Sequence, residues 1–252
     1  MKCLGTVSLL VLNVAKLVRG HGYVEEVTIG GVKYPGYNPY LDNHIAKPTP
    51  PARLFYPIVE NHPVYDPTEG NITCNWTREE EGLPKLTAVA RAGSNMTIRW
   101  TRWPESHFGP QMTYLAWCGG KKCSEYDVRN PEARFFKISQ DGWNSRTRTW
   151  LQEDFLKNNS TLTVTLPKNI PNGEYVVRHE LLALHAVTND KYGPEFYPQC
   201  WQITITGGTG TTIPAGVPFP GAYQPNDPGI EFRTNRSNIV SYPFPGPPIL
   251  VN

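Results

Sequence analysis

His21 is the residue whose position in this chain most directly suggests chemistry. It stands in the stretch "LVRGHGYVEEV", immediately after a short apolar run. If the chain is cut after Gly20, His21 becomes the first residue and carries a free backbone amine beside its imidazole. The amine and Nδ1 of one histidine can close a six-membered chelate ring, and a reference pKa of about 8 makes the deprotonated amine accessible. One further imidazole would complete a planar set of three nitrogens, which favours Cu(II), whereas zinc prefers a tetrahedral set.

His107 is the best candidate for that second imidazole. It lies in "WTRWPESHFGPQMTYLAWC", where two prolines and a glycine stiffen the loop. A stiff loop can hold an imidazole at metal distance without losing much entropy on binding. His44 and His62 lie in a Pro- and Asn-rich region that is typical of a surface loop. His179 and its neighbour Glu180 are expected to have a structural role.

A third stretch with chemical potential is "EFYPQCWQI". Side chains alternate along a strand, so Glu195, Tyr197 and Gln199 would share one face, with Phe196 and Cys200 on the other. Tyr197 could then approach a metal with the acidic Glu195 beside it. A half-buried strand that ends in a disulfide is the alternative interpretation.

The first twenty residues have the composition of a secretory signal. Lys2 gives a positive start, Leu4 to Val14 is mostly apolar, and Val18 and Gly20 would stand at −3 and −1 of a cut before His21. A membrane anchor is the alternative, but a span needs about 20 apolar residues and two cations interrupt this run. The sequence therefore predicts removal of residues 1–20, secretion, and no membrane association afterwards.

Removal of that segment leaves a nearly neutral chain. Lys2, Lys16 and Arg19 would be lost, so 21 cationic side chains would face 22 anionic ones. No cluster of Lys and Arg with interleaved aromatic residues remains. This balance argues against nucleic acid as a partner.

The cysteines fit a secreted protein. Without Cys3 the set is even, which makes disulfides the leading interpretation. Cys118 and Cys123 are close enough in sequence to close a loop, which leaves Cys74 with Cys200. A zinc site is the rival interpretation, but paired C-x-x-C units are missing. The chain also holds candidate glycosylation sequons, at Asn71, Asn75, Asn95, Asn158, Asn159 and Asn235.

Short alternating runs predict an all-β domain. "NMTIRW", "TLTVTL", "EYVVRHELLALHA" and "CWQITITG" are rich in β-branched or aromatic residues and are bounded by Pro, Gly or Asn. "TWLQEDFLKN" could form a short helix. The pattern favours an antiparallel β-sandwich with long loops. From position 207 the chain is rich in Gly and Pro but keeps many aromatic residues, so we expect an irregular segment wrapped over one domain of residues 21–252, with no appended binding module.

Seven blocks of the sequence resemble those of a known family. They are "HGYV", "SHFGP…TYLAWC", "IPNGEYVVRHELLALHA", "EFYPQCWQITITG", "FPGAY", "DPGI" and "YPFPGP", and they run in order over nearly the whole mature chain. The chain is similar to the fungal lytic polysaccharide monooxygenases of auxiliary activity family 9, formerly glycoside hydrolase family 61. The resemblance implies an immunoglobulin-like or fibronectin-like β-sandwich with one copper at a flat surface.

The resemblance also implies roles for individual residues. His21, through its amine and side chain, and His107 would be the copper ligands, Tyr197 the axial residue, and His185 a catalytic histidine outside the ligand set. Tyr242 would contact the polysaccharide. The disulfides would be Cys74–Cys200 and Cys118–Cys123. The implied reaction uses O₂ or H₂O₂ and an external reductant to oxidise C1 or C4 of a β-1,4-glucan, and the protein would act as a monomer.

The chain departs from the family pattern at Glu195. The family usually has glutamine two residues before the axial tyrosine, where its amide can donate a hydrogen bond toward the open coordination position. An ionised glutamate only accepts, whereas a buried, protonated one could still donate. Two other functions therefore stay open: a polysaccharide-binding protein that keeps the copper site with weak or no oxidative activity, and a copper-handling protein.

Overall fold

The structure is a computed structural model that describes residues 21–42, 52–58, 60–76, 83–187, 193–233 and 239–251. The expected secretory segment, His44 and the sequon at Asn235 lie outside these residues. The predictions made for them stay predictions.

Two β-sheets and a short hairpin form the framework of the described residues. In chain order the elements are β1 (Val24–Ile29), β2 (Val32–Pro35), β3 (Ala88–Arg91), β4 (Asn95–Trp100), β5 (Gln111–Trp117), β6 (Phe135–Asp141), β7 (Trp143–Asn144), β8 (Thr149–Trp150), α1 (Leu151–Lys157), β9 (Thr161–Thr165), β10 (Gly173–Ala183) and β11 (Glu195–Thr206). One sheet has the strand order β2-β1-β4-β9 and the other β3-β11-β10-β5-β6, while β7 pairs with β8.

The alternating sequence runs form the strands as predicted. In β4, which is the run "NMTIRW", Met96, Ile98 and Trp100 are buried while Asn95 is exposed. The expected short helix is α1, and the all-β sandwich is confirmed. One pairing departs from the antiparallel expectation, because β3 runs parallel to β11 at the sheet edge.

The main core lies between the two sheets. Strand β10 has buried side chains on both of its faces, and one of these faces lines this core. Val177 and Leu181 pack into the core between the sheets. His179, on the same face, is fully buried, accepts from Trp100 Nε1 at 3.2 Å and contacts Thr113 Oγ1 at 2.8 Å. Its predicted structural role agrees with this position.

The other face of β10 carries a buried charge pair beneath the C-terminal segment. Arg178 Nη2 donates to Glu180 Oε2 at 2.6 Å, and Tyr223 donates to Glu180 Oε1 at 2.6 Å. Arg178 also donates to the carbonyl of Ile72 at 2.8 Å. The C-terminal segment is fixed by β-bridges between residues 135 and 217 and between 137 and 249. It therefore covers this sheet, as the sequence predicts.

The four cysteines of the described residues form two disulfides. Cys74 pairs with Cys200 across 126 residues, and Cys118 pairs with Cys123 across 5. This is the pairing expected from the sequence. Within the described part of the chain, no helix is long and apolar enough to cross a membrane.

Candidate metal centre

His21 lies at one end of the sandwich, where the chain enters β1. The residues that follow it are tied to the end of β4: Tyr23 N donates to Thr101 Oγ1 at 3.2 Å, and Thr101 N donates to the Tyr23 carbonyl at 2.9 Å. Between them, Gly22 lies so close to Trp103 that an added Cβ would come within 3.1 Å of the indole. The chain is therefore held from residue 22 onward, and His21 projects from this anchor.

The loop after β4 carries His107 and holds it by both its backbone and its ring. Trp103 Nε1 donates to the His107 carbonyl at 2.9 Å, and Ser106 Oγ lies 3.0 Å from His107 Nδ1. The contact with Ser106 leaves Nε2 as the ring nitrogen that faces His21 and β11. His107 is buried, so this nitrogen has a fixed direction.

Gly109 and α1 fix the far end of the same loop. Gln152 of α1 makes two hydrogen bonds with the backbone of Gly109, at 3.0 and 2.9 Å. Gly109 has a φ of +152°, and a Cβ there would lie 1.9 Å from the Leu182 carbonyl oxygen. Only glycine fits this approach, and the loop is thus clamped between α1 and β10.

The first residues of β11 supply Tyr197 and Glu195. Tyr197 is buried, its ring lies 4.9 Å from that of Trp103 and 6.1 Å from that of His21, and its hydroxyl donates to Glu195 Oε2 at 2.7 Å. Burial, and then the Glu195 carboxylate, raise the pKa of Tyr197 well above its ordinary value. The side chain is therefore a neutral phenol whose hydroxyl donates a hydrogen bond to Glu195.

His185 follows β10 and completes the group. Its ring stacks on that of His107 with a centroid separation of 4.0 Å, and its Nε2 lies 3.8 Å from Glu195 Oε1. The other oxygen of Glu195 lies 3.4 Å from His107 Nε2. Glu195 thus contacts Tyr197, His107 and His185 at once.

These side chains converge on one point that can accept a metal ion. One ligand atom each of His21, His107 and Glu195 all lie within 4.8 Å of one another. Burial lowers the pKa of His21 below its ordinary value, against the opposing effect of Glu195. Metal ligation needs neutral imidazole, so the lowered pKa suits a ligand. Two imidazoles, with the amine that cleavage before His21 would add, form a nitrogen-rich set that fits copper.

The sequence interpretation missed two neighbours of this site. His62, which it placed in an ordinary surface loop, is exposed but lies with its ring 5.4 Å from that of His21, and its Nδ1 pairs with Glu60 at 2.9 Å. Asn61 is buried and its Nδ2 donates to the His21 carbonyl at 3.1 Å. Position 64 pairs with position 196 of β11, a long-range contact that no local pattern in "ENHPV" reveals.

Tyr242, the predicted polysaccharide contact, lies in the interior of this structure. It is 7% exposed, its hydroxyl donates to the Gly229 carbonyl, and its ring packs 5.3 Å from that of Trp150. Its contact with substrate stays a prediction. Two exposed aromatic residues lie close to residues of this site. Tyr40 has its ring 6.4 Å from that of Tyr23, and Tyr65 is near enough to Tyr197 to affect its pKa.

The five sequons within the described residues divide by exposure. Three of them are exposed, at Asn95, Asn158 and Asn159, and two are half-buried, at Asn71 and Asn75. Their glycosylation stays a prediction.

Comparisons with known proteins agree on one family. The family model of Auxiliary Activity family 9 (formerly GH61) matches residues 21–242. The AA9 family lytic polysaccharide monooxygenase A of Gloeophyllum trabeum is 42% identical over 248 residues, a match that covers 95% of this chain and 74% of that protein.

Solved structures give the same result. The extended catalytic domain of H. jecorina LPMO9A superposes with a TM-score of 0.80 at 30% identity, covering 91% of each chain. A structure from M. thermophila described as a cellulose-active polysaccharide monooxygenase has a TM-score of 0.73 at 31% identity, covering 91% of this chain and 99% of that one.

The family carries the cofactor expected from the sequence. Its members are copper enzymes that use O₂ or H₂O₂ with an external reductant and cleave polysaccharides oxidatively. In this chain, His21 and His107 lie in one cluster of possible metal ligands. With a family model that spans residues 21–242 and a relative 42% identical over most of the chain, the chain belongs to Auxiliary Activity family 9, the lytic polysaccharide monooxygenases.

Proposed function

We propose that this protein is a secreted, copper-dependent lytic polysaccharide monooxygenase that oxidises C1, C4 or both in chains of cellulose or a related β-1,4-glucan. The observation that carries the proposal is the convergence of His21, His107 and Glu195, whose ligand atoms lie within 4.8 Å of one another at one end of the sandwich. Membership of a family of copper enzymes gives that cluster its chemistry.

The proposed site depends on removal of residues 1–20 during secretion. Cleavage before His21 frees the amine that completes the chelate, so the processing step creates one of the ligands. The match to the family model begins at residue 21, which supports a mature chain that starts there. His21 and His107 are then the proposed copper ligands.

In the proposed mechanism, His21 and His107 would hold a copper ion, which would supply one-electron redox chemistry toward O₂ or H₂O₂ with electrons from an external reductant. Tyr197 is buried beside the site, with its ring 6.1 Å from that of His21. Its bulk and neutral hydroxyl would restrict which groups can reach the ion from that side. Glu195 accepts a hydrogen bond from the Tyr197 hydroxyl, and its other carboxylate oxygen lies 3.8 Å from His185 Nε2. We assign His185 and Glu195 to proton movement, because His185 is partly exposed and can exchange protons with solvent.

The proposed substrate surface surrounds His21. Tyr40, His62 and Tyr65 are exposed there, and aromatic faces suit the apolar faces of sugar rings. A chain close to neutral is suited to an uncharged glucan, and a structural relative is described as cellulose-active. Tyr242 is proposed as a more distant contact. Because the described site is built by one chain, the proposed active unit is a monomer.

The experiment is incubation of the processed protein with cellulose, copper and ascorbate, followed by mass spectrometry of the soluble products. We expect aldonic acids, C4-oxidised ends or both. A protein that retains Gly20 before His21 is the matched control, because it keeps every side chain and moves the free amine from His21 to Gly20. Equal oxidation by both forms would contradict the proposed chelate. A native N-terminus other than His21 would overturn the site.

Glu195 supports a second candidate function. The carboxylate accepts the hydrogen bond from Tyr197 at 2.7 Å, and as a carboxylate it has no proton to donate toward a co-substrate. The protein would then bind copper and polysaccharide with weak or no oxidation. Tight copper binding and retention on cellulose without oxidised sugars would favour this candidate. Tight copper binding without retention would favour a copper-handling protein.

A further inference from the structure

Asn61 is a buried amide whose side chain reaches the first residue of the proposed mature chain. Its Nδ2 donates to the His21 carbonyl at 3.1 Å across 40 residues of sequence. The side chain is 7% exposed, and a buried amide normally uses its hydrogen-bonding groups. The bond is therefore a fixed feature of this end of the sandwich.

A chelate at His21 needs control of the backbone of that residue. Gly22, Tyr23 and Val24 are already fixed, because Thr101 bonds Tyr23 and Gln199 Oε1 accepts from Val24 N at 2.9 Å. His21 itself can still move by rotation of the peptide plane that joins it to Gly22. The hydrogen bond from Asn61 to the His21 carbonyl restrains this plane. It thereby fixes the position of the His21 Cα, from which the amine and the side chain both extend.

The loop that carries Asn61 is attached to the strand that carries Tyr197. Val64 and Phe196 exchange two backbone hydrogen bonds at 2.8 and 2.9 Å, and Phe196 directly precedes Tyr197. The carbonyl of His62 accepts from Asn75 Nδ2 at 3.2 Å, next to the disulfide of Cys74 with β11. Asn61 thus holds His21 in a fixed position relative to β11.

We propose that Asn61 is a positioning residue for the copper site: its amide holds the His21 carbonyl so that the amine and Nδ1 of His21 point at the same ion as His107. This inference rests on the proposed function, because it takes His21 as a ligand. Partners that orient metal ligands typically contribute about 10- to 100-fold to metal affinity.

The test compares Asn61→Ala and Asn61→Leu with the wild-type protein, all with His21 as the verified first residue. Alanine removes the donor, and leucine removes it while filling a similar volume. We expect both variants to bind Cu(II) about tenfold more weakly in calorimetric titrations, with a changed Cu(II) electron paramagnetic resonance spectrum. The melting temperature of the copper-free protein should change little.

Asn75→Gly is the matched control. It removes the amide that bonds the next carbonyl along the same loop, and glycine tolerates the φ of +54° at this position. We expect wild-type copper affinity and spectrum. Wild-type affinity and spectrum in both Asn61 variants would overturn the inference and leave the proposed function intact. Failure of the wild-type protein itself to bind copper through its N-terminal residue would overturn the proposed function instead.

Discussion

Replacement of Glu195 by glutamine tests how strongly one carboxylate controls this site. The carboxylate is buried, lies 3.4 Å from His107 Nε2 and accepts from the Tyr197 hydroxyl. A negative charge in this position stabilises Cu(II) more than Cu(I), and it therefore lowers the reduction potential of the bound metal. Glu195→Gln removes that charge with almost no change in shape, so the potential should rise.

The magnitude follows from the separation. A carboxylate oxygen lies within 4.8 Å of a ligand atom on both histidines, which we take as about 5 Å from a bound ion. At an effective dielectric constant of about 20, a unit charge at that distance contributes about 3 kcal/mol. For a one-electron couple, a tenfold change in the equilibrium constant corresponds to about 59 mV, so this energy corresponds to a rise of about 0.1 V in the reduction potential. The amide also gains a donor, and we expect about tenfold faster formation of oxidised products.

The assay is a redox titration of the copper-loaded protein, with product formation measured on the same preparations. Glu60→Gln is the matched control, since it removes one carboxylate from the same face at a site where that side chain is 58% exposed. Solvent screens such a charge, so its effect on the potential should stay under about 30 mV. A shift of that small size for Glu195→Gln, or a fall in potential, would refute the reasoning.

Three further predictions concern stability. Burial, and then Arg178, lower the pKa of His179 to about 3. Only the unfolded chain binds this proton between pH 6.5 and 3, so His179 should contribute a fall in stability of about 1.4 kcal/mol per pH unit on acidification. In urea unfolding at pH 6.5 and 4.5, His179→Asn should make the fall in stability shallower by this amount, and an unchanged slope would contradict the prediction. Glu180→Gln leaves Arg178 buried without its charge partner, and should cost about 3–5 kcal/mol and about 10 °C in melting temperature; a change under 2 °C would contradict it. Serine replacement of both cysteines should cost about 5 kcal/mol for Cys74–Cys200 and about 2 kcal/mol for Cys118–Cys123, because the first closes the much longer loop; equal losses in denaturant unfolding would refute this.

The framework was accessible from the sequence because its signals are local. Alternation in "NMTIRW" marks β4, and the spacing of Glu195, Tyr197 and Gln199 marks one face of β11. Gln199 indeed faces β1, where it bonds Val24 N, while Cys200 on the opposite face forms its disulfide. A period of two fixes which side chains lie together, and no tertiary information is needed for that step.

The neighbours of the site were not accessible, because they depend on contacts between distant segments. Asn61 and His62 look like ordinary residues of a polar loop, and contacts between distant segments, such as the pairing of position 64 with β11, bring them to His21. Tyr242 is a second case. The resemblance assigns it to a substrate contact, which stays a prediction. In this structure Trp150 and Phe244 pack against its ring, and these contacts between distant segments leave no local pattern in the sequence.

Several separate elements meet around His21, which is the first residue of the proposed mature chain. A residue inside a strand is oriented by neighbours on both sides, but the first residue of a chain has a neighbour on one side only. Trp103 packs against Gly22, Thr101 and Gln199 hold the next two residues, and Asn61 holds the His21 carbonyl. These contacts come from the loop after β4, from β11 and from a loop paired with β11. In the proposed mature chain, the tertiary structure would thus provide the orientation that a preceding residue would otherwise supply, and the amine would be free for a metal.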